Sequence, residues 1–167
     1  MNETSNDTGR EPGSEPGSEP GPANFHWRDE YLLGYPPMDN MHREFVIVVE
    51  ALMSCEQASM GAGLRAVASH LDEHFGEENR WMNEMDFPAR GCHIDEHAAV
   101  RKSVDEVLAL VDAGDLSQVI PLAQALVNWF PGHADYLDSA LSAWISKQRT
   151  GGKPVVLRRN LDLAREA

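Results

Sequence analysis

Apolar side chains recur in the middle of the chain at intervals of three and four residues, which is the spacing of one face of an α-helix. Glycine and proline interrupt this pattern and divide it into segments. The segments predict four helices: about 39–57, about 64–85, from the breaker "DFPARG" to near Gly114, and a last one with Ser117 as a plausible N-cap. Helices of this length with short connections predict an all-α fold, an antiparallel up-down-up-down four-helix bundle.

The ends of the chain differ in character from the middle. Residues 1–23 repeat a Pro-Gly-Ser-Glu unit in "EPGSEPGSEPGP", which can neither hold a helix nor bury a core, so a disordered acidic tail is predicted. The bundle is expected to span 24–149. Residues 150–167 are expected to form a short C-terminal appendage.

Charge and composition exclude several classes of partner and location. The formal net charge of −13 argues against binding to nucleic acid or to an anionic membrane. No apolar run approaches the roughly 18 residues of a membrane span, and the N-terminus lacks the features of an export signal. We therefore expect a cytoplasmic monomer or small homo-oligomer, with an unknown protein partner left open. Cys55 and Cys92 are predicted to be free thiols, and Cys92 to be buried and inert.

Polar residues interrupt the apolar stripe of the second helix within "HLDEHFGEEN", residues 70–79. At about 100° per residue, His74 and Glu78 lie within roughly 30° of the centre of the stripe, whereas His70 lies about 70° away and Glu73 about 130° away. Glu73 is therefore predicted to face solvent, and His70 to be a solvated residue on the flank of the bundle.

The other helices carry polar residues on their stripes as well. His93 and His97 are about 40° apart on the third helix, so both imidazoles can reach one ion at roughly 2.1 Å, while Glu96 is displaced by about 70°. His42 and His133 lie on the stripes of the first and fourth helices. Asp138 follows His133 by five residues, about 140° around an ideal helix, so the two share a site only if the helix is locally widened or the carboxylate reaches across.

A metal centre is the simplest explanation for these residues. Burying Glu78 among apolar side chains costs several kcal/mol unless its charge is compensated, and a cation would compensate it. The candidate ligands are His42, His74, Glu78, His93, His97, His133 and Asp138. Five imidazoles and two carboxylates suit two ions about 3.5–4 Å apart with bridging carboxylates. This ligand set favours iron over calcium or magnesium and leaves zinc open.

The motifs that carry these residues are "WRDEYLLGYPPMDNMH", "HFGEENRWM", "HIDEH" and "WFPGHADYLD". Across about residues 25–145, the chain resembles the hemerythrin family, with the seven ligand positions in order and at the family's spacings. The resemblance implies two Fe ions with a bridging oxo or hydroxo group. It assigns His93, His97 and His133 to one iron and His42 and His74 to the other, with Glu78 and Asp138 as bridges.

The resemblance also implies a function, which is reversible binding of dioxygen for storage, delivery or sensing, without enzymatic activity. Trp129 and Phe130 are expected to line the oxygen pocket, although packing in the core is an alternative for both. Ala134 follows His133, where family members usually have bulky aliphatic residues that line the pocket, and a wetter pocket would let bound dioxygen autoxidise sooner. Pro131 removes a helical hydrogen bond and predicts a kink near 129–133.

Two other functions are consistent with parts of the sequence. The pattern H-x-x-E-H occurs at 70–74 and again at 93–97, and it is a signature of zinc hydrolases. A mononuclear zinc metallohydrolase would need Glu73 or Glu96 as general base beside an open metal position. A ferritin-like di-iron oxidase would need E-x-x-H pairs, and no histidine in the chain has a glutamate three residues before it.

Overall fold

The computed structural model describes residues 25–152, which form helices and, within that range, no strands. The first three long helices are α1 (Pro36–Ser54), α2 (Met60–Glu84) and α3 (Arg90–Asp112). The fourth helix of the bundle has three consecutive segments: α4 (Val119–His133), a π-helical turn (Ala134–Asp138) and α5 (Ser139–Thr150). Short 3-10 turns at Asp29–Tyr31 and Gln57–Ser59 precede α1 and α2. The predicted all-α four-helix fold is confirmed.

The four helices form a square in which α1 and α3 each pack against α2 and α4. The buried apolar side chains divide into a larger cluster, which includes Phe45 and Leu71, and a smaller cluster, which includes Met38 and Trp81. Along α1 the chain passes from the smaller cluster to the larger, and along α2 it returns. The helices are therefore antiparallel, and the buried polar residues of each helix lie between the two apolar clusters.

The ends of the helices differ from the predicted ends where local chemistry overrides the pattern. α1 begins three residues before its predicted start because two prolines occupy its first turn, where the missing N–H costs no hydrogen bond. Ser117 does not cap α4. Its backbone N–H donates to Asp115 Oδ1 at 2.8 Å, and Gln118 is the N-cap, without a side-chain hydrogen bond.

Asp39 ties the segment before α1 to the bundle. Its buried carboxylate accepts hydrogen bonds from the backbone N–H groups of Leu33 at 2.7 Å and of Gly34 at 3.1 Å. Gly34 has a φ of 79°, a conformation that side chains disfavour. Ser142 Oγ donates to the Leu33 carbonyl at 3.1 Å. These bonds fix the start of α1 and therefore the position of His42, which follows Asp39 by three residues.

The fourth helix is widened between His133 and Asp138, which is the first of the two alternatives that the five-residue spacing left open. The α-helix continues through Pro131 as far as His133, and the π turn occupies Ala134–Asp138. The departure from α geometry thus begins after the interval predicted for a kink. Two residues five apart point more nearly in the same direction in a π turn than in an α-helix. Both His133 and Asp138 can therefore face the centre of the bundle.

Some predictions fall on parts of the chain that the structure does not describe. The predicted acidic tail at 1–23 and residues 153–167 of the predicted appendage lie outside the described residues. At the C-terminal end of the described range, α5 ends at Thr150, before Gly151 with a φ of 72°. Within residues 25–152, none of the helices combines the length and apolar character that crossing a membrane requires.

The burial of two side chains corrects the sequence interpretation. Cys92 is exposed rather than buried, because it lies in the first turn of α3 on the side opposite the bundle, although both cysteines are free thiols as predicted. His70 is only 9% exposed rather than solvated. Its ring lies 6.2 Å from that of Phe45 and 5.4 Å from that of His74, because the contact between α1 and α2 is wide enough to cover a residue 70° from the stripe.

The burial of His70 predicts a contribution to the pH dependence of folding. Burial, followed by the neighbouring imidazoles of His74 and His42, lowers the pKa of His70 to about 4 despite a hydrogen bond to the backbone of Met41. Between pH 6.5 and pH 4, His70 binds a proton in the unfolded chain but not in the folded chain. Its contribution to the free energy of unfolding is therefore fully present above pH 6.5 and is lost as the pH falls toward 4. We expect His70→Phe to reduce that loss by at most about 3 kcal/mol, measured by urea unfolding of the metal-free protein at several pH values.

His26→Phe is the matched control for this prediction, since His26 is exposed. The same substitution there should leave the pH dependence unchanged. If His70→Phe and the parent protein lose stability equally between pH 6.5 and pH 4, the buried histidine does not contribute as described.

Candidate metal centre

The structure brings all seven predicted ligands to one buried region between the two apolar clusters. Each is at most 3% exposed. They come from every helix of the bundle: His42 from α1, His74 and Glu78 from α2, His93 and His97 from α3, His133 from α4 and Asp138 from the π turn. Residues far apart in the sequence therefore form a single cluster.

The cluster consists of two overlapping groups, each able to bind a metal ion. We call the first the three-histidine group; it contains Glu78, His93, His97, His133 and Asp138. The second, the two-histidine group, contains His42, His74 and Glu78. The potential ligand atoms in each group lie within 4.8 Å of one another, and Glu78 is common to both.

The spacing of the imidazoles in the three-histidine group fits a bound cation. His133 Nε2 lies 3.3 Å from His93 Nε2 and 3.2 Å from His97 Nε2. Ligand atoms about 2.1 Å from a metal ion, at the angles of a tetrahedron or an octahedron, are separated by roughly 3.0–3.4 Å. His133 Nε2 is therefore already at the separation from each of the other two nitrogens that binding to one ion requires.

Each of the two carboxylates directs one oxygen toward each histidine group. Glu78 Oε1 lies 3.1 Å from His74 Nε2, while its Oε2 lies 3.3 Å from His97 Nε2. Asp138 Oδ2 lies 3.1 Å from His42 Nε2, while its Oδ1 lies 3.0 Å from His93 Nε2. Both side chains thus have the arrangement of a carboxylate that bridges two ions.

Unsatisfied polar atoms in the cluster support the same conclusion. Glu78 Oε2, both carboxylate oxygens of Asp138 and His42 Nε2 are buried and make no hydrogen bond of normal geometry. No lysine or arginine is buried anywhere in residues 25–152, so neither of these side chains compensates the two carboxylates. Buried charges without a partner cost several kcal/mol, and cations between the groups would remove that cost.

The electrostatic environment keeps both carboxylates ionised. Burial and the charge of Asp138 raise the pKa of Glu78, but contacts with His74 and His97 outweigh them and bring it to about 2. Burial likewise raises the pKa of Asp138, and the imidazoles of His133, His42 and His93 hold it well below its usual range. Ionised carboxylates are the form that binds metal.

His133 and His97 differ in their response to this environment. Burial lowers the pKa of His133, but Asp138, with Glu96 and Glu78, raises it to about 9. Burial also lowers the pKa of His97, and this effect exceeds the opposing one of Glu78. In the absence of metal, a proton on His133 therefore provides part of the charge compensation that a cation would provide.

The sequence interpretation missed the contacts that two polar residues, Glu96 and Asn79, make with the outer side of the imidazoles. Glu96 Oε1 accepts hydrogen bonds from Trp129 Nε1 at 2.8 Å and from His133 Nδ1 at 3.0 Å. Asn79 Oδ1 lies 2.9 Å from His97 Nδ1. Their positions in the sequence could have indicated these contacts, since Glu96 directly precedes His97 and Asn79 directly follows Glu78. Each residue therefore lies about 100° from a proposed ligand on its own helix and can reach an adjacent helix.

Aromatic side chains cover the cluster on both sides. Phe75 stacks on His97 with ring centroids 4.0 Å apart. Trp129, which is half-buried, lies 4.4 Å from the His133 ring, and Phe130 meets the His42 ring edge-on at 5.2 Å. Ala134 is buried beside them. The assignment of Trp129, Phe130 and Ala134 to an oxygen pocket stays a prediction.

Neither copy of H-x-x-E-H enters the cluster as a unit. Glu73 is exposed, as predicted, and His70 belongs to neither ligand group. In the second copy, His93 and His97 enter the three-histidine group, while Glu96 lies behind His133. The spacing of the motif therefore does not describe how these residues are used.

Comparison with known proteins agrees with this arrangement. The sequence model of the Hemerythrin HHE cation binding domain matches residues 33–145. The chain is 31% identical over 122 residues to a bacteriohemerythrin of Ralstonia nicotianae, covering 73% of this chain and 89% of that protein. It is 26% identical over 137 residues to a bacteriohemerythrin of Stenotrophomonas maltophilia, covering 75% of this chain and 90% of that protein. No solved structure matches significantly. The extent of these matches shows that the chain belongs to the hemerythrin family.

Proposed function

We propose that this chain is a non-haem di-iron protein that binds dioxygen reversibly, for storage, delivery or sensing. The observation that carries the proposal is the arrangement of Glu78 and Asp138, each with one oxygen toward the three-histidine group and the other toward the two-histidine group. Such carboxylates match a centre with two metal ions better than a centre with one. The proposed ligands are His42, His74, Glu78, His93, His97, His133 and Asp138.

The donor set and the family both support iron. Imidazoles with two carboxylates and no thiolate suit iron, and the hemerythrin domain implies a non-haem iron centre. The family consists mainly of non-enzymatic metal-binding proteins whose members bind dioxygen, which supports a binding function. When bound, the iron pair would supply the reversible binding of dioxygen.

The two-histidine group is the half that we propose faces dioxygen. It has fewer protein ligands than the three-histidine group, so it leaves more coordination positions for an external ligand. The ring of Phe130 lies against His42 and also 4.9 Å from Phe45, so apolar side chains cover this half and exclude water. An apolar surrounding suits a small uncharged ligand.

The geometry disfavours a zinc metallohydrolase. Such an enzyme needs a glutamate free to accept a proton from a metal-bound water. Glu73 is exposed on the far side of α2, and Glu96 Oε1 already accepts hydrogen bonds from Trp129 and His133. Neither carboxylate is placed for that role.

Reconstitution with iron tests the proposal. We expect the metal-free protein to take up two Fe(II) per chain under anaerobic conditions, measured by elemental analysis. Exposure to air should then produce the visible charge-transfer absorption of an oxygenated di-iron centre, which should fade when dioxygen is removed under argon. Repeated cycles without loss of amplitude would establish that binding is reversible.

Two outcomes would contradict the proposal. Binding of two irons without any reversible change in air would exclude reversible dioxygen binding. One zinc per chain, with a peptidase activity that Glu73→Gln or Glu96→Gln abolishes, would support the metallohydrolase instead.

A further inference from the structure

The buried imidazoles differ in the hydrogen-bond partner of Nδ1, the ring nitrogen that faces away from the cluster. Behind His133 is the carboxylate of Glu96, and behind His97 is the side-chain amide of Asn79. By contrast, Nδ1 of His42, His74 and His93 has no hydrogen-bond partner among the described residues. Both outer hydrogen bonds therefore belong to the three-histidine group.

Glu96 reaches from one helix of the bundle to another. It lies on α3, and the donors that it meets, Trp129 Nε1 and His133 Nδ1, lie on α4. Its side chain is 40% exposed, whereas that of His133 is 1% exposed. A partly solvated carboxylate thus contacts a buried imidazole whose opposite nitrogen, Nε2, faces Asp138 Oδ1 at 3.2 Å.

We propose that Glu96 is a positioning residue: it holds the proton of His133 on Nδ1 and directs Nε2 toward the metal of the three-histidine group. The inference rests on the metal centre of the proposed function and adds a residue outside the seven ligands.

The chemistry of imidazole gives the physical reason. A neutral imidazole has one N–H, and a carboxylate can only accept, so the hydrogen bond to Glu96 requires the proton on Nδ1 and leaves the lone pair on Nε2. The negative charge also increases the basicity of the ring as a ligand, and such outer partners typically change metal affinity by about 10- to 100-fold. The indole N–H of Trp129 fixes the carboxylate, so the ring orientation of His133 is fixed as well.

The two copies of H-x-x-E-H provide a matched control within the chain. Glu73 and Glu96 each directly precede a proposed ligand, His74 and His97, but Glu73 is exposed and faces away from the centre. We expect Glu96→Ala to accelerate the loss of iron to a chelator by about 10- to 100-fold relative to the parent protein. Glu96→Gln should have a smaller effect, since its carbonyl can still accept from Nδ1, and Glu73→Gln should have none.

Two further measurements separate positioning from a general structural role. Glu96→Gln removes one negative charge beside the centre without changing the size of the side chain, so the reduction potential of the iron centre should rise in this variant and not in Glu73→Gln. In the zinc-loaded protein, which is diamagnetic, NMR should show a slowly exchanging His133 Nδ1 proton that Glu96→Ala loses. Circular dichroism would confirm that the variants are folded.

The outcomes distinguish this inference from the proposed function. If the parent protein binds no iron, the proposed function fails. If it binds two irons, but the Glu96 variants lose iron no faster than Glu73→Gln, keep the same potential and keep the His133 proton, then Glu96 does not position His133 and the inference is overturned.

Discussion

Glu78→Gln is expected to reduce the iron content from two ions per chain to at most one, while the helical bundle remains folded. Glu78 is fully buried, and its two oxygens face His74 on one side and His97 on the other. Glutamine preserves the volume but offers one acceptor oxygen and directs an amide N–H₂ toward the other histidine, so it cannot bridge two ions. The loss of affinity should exceed the roughly 10- to 100-fold that outer partners contribute. Iron per chain is measured by elemental analysis after anaerobic loading and desalting.

Glu77→Gln is the control, because Glu77 precedes Glu78 and undergoes the same chemical change on the surface. Its carboxylate is exposed and pairs with Arg80 at 2.6 Å, a solvent-screened contact that contributes little to stability. This variant should bind two irons. If Glu78→Gln also retains both, Glu78 is not a bridging ligand and the proposed arrangement of the centre is wrong.

The features that could be predicted from the sequence are those that depend on helical periodicity. His74 and Glu78 lie on the apolar stripe of α2, and burial at that position follows from the stripe itself. The five-residue interval between His133 and Asp138 conflicts with an α-helix, and a locally wider turn was one of the two arrangements that would reconcile them; the structure contains it. A pattern that spans a whole helix thus determined both the fold and the candidate ligands.

The features that were missed depend on contacts between helices, which the periodicity of one helix does not contain. His70 is buried because α1 covers a wider part of α2 than the apolar stripe alone. Glu96 was considered only as part of a hydrolase motif, because the role of its carboxylate becomes visible only when Trp129 and His133 of α4 are placed opposite. Ser117 is not the N-cap because α4 begins at Val119, one residue too late for Ser117 to be the residue before the helix, and Gln118 holds that position.

Removal of the iron is expected to lower the free energy of unfolding by about 4 kcal/mol or more and the melting temperature by roughly 10 °C or more. A ligand present at 1,000 times its dissociation constant stabilises the folded state by about 4.1 kcal/mol, and this chain has two candidate sites. Without metal, Glu78 and Asp138 are buried carboxylates whose compensation depends on neighbouring imidazoles. The difference is measured by thermal unfolding of the iron-loaded and the chelated protein under anaerobic conditions, with circular dichroism as the readout.

The Glu78→Gln variant tests whether this stabilisation comes from the bridged centre. Its melting temperature should change much less on chelation than that of the parent protein, because it has at most one ion to lose. Amide hydrogen exchange should locate the effect: removal of iron should accelerate exchange in the π turn at Ala134–Asp138, which contains Asp138, more than at Leu64, in the larger apolar cluster. Equal melting temperatures with and without iron would mean that the apolar clusters alone hold the ligands in place, and that the metal adds function without adding stability.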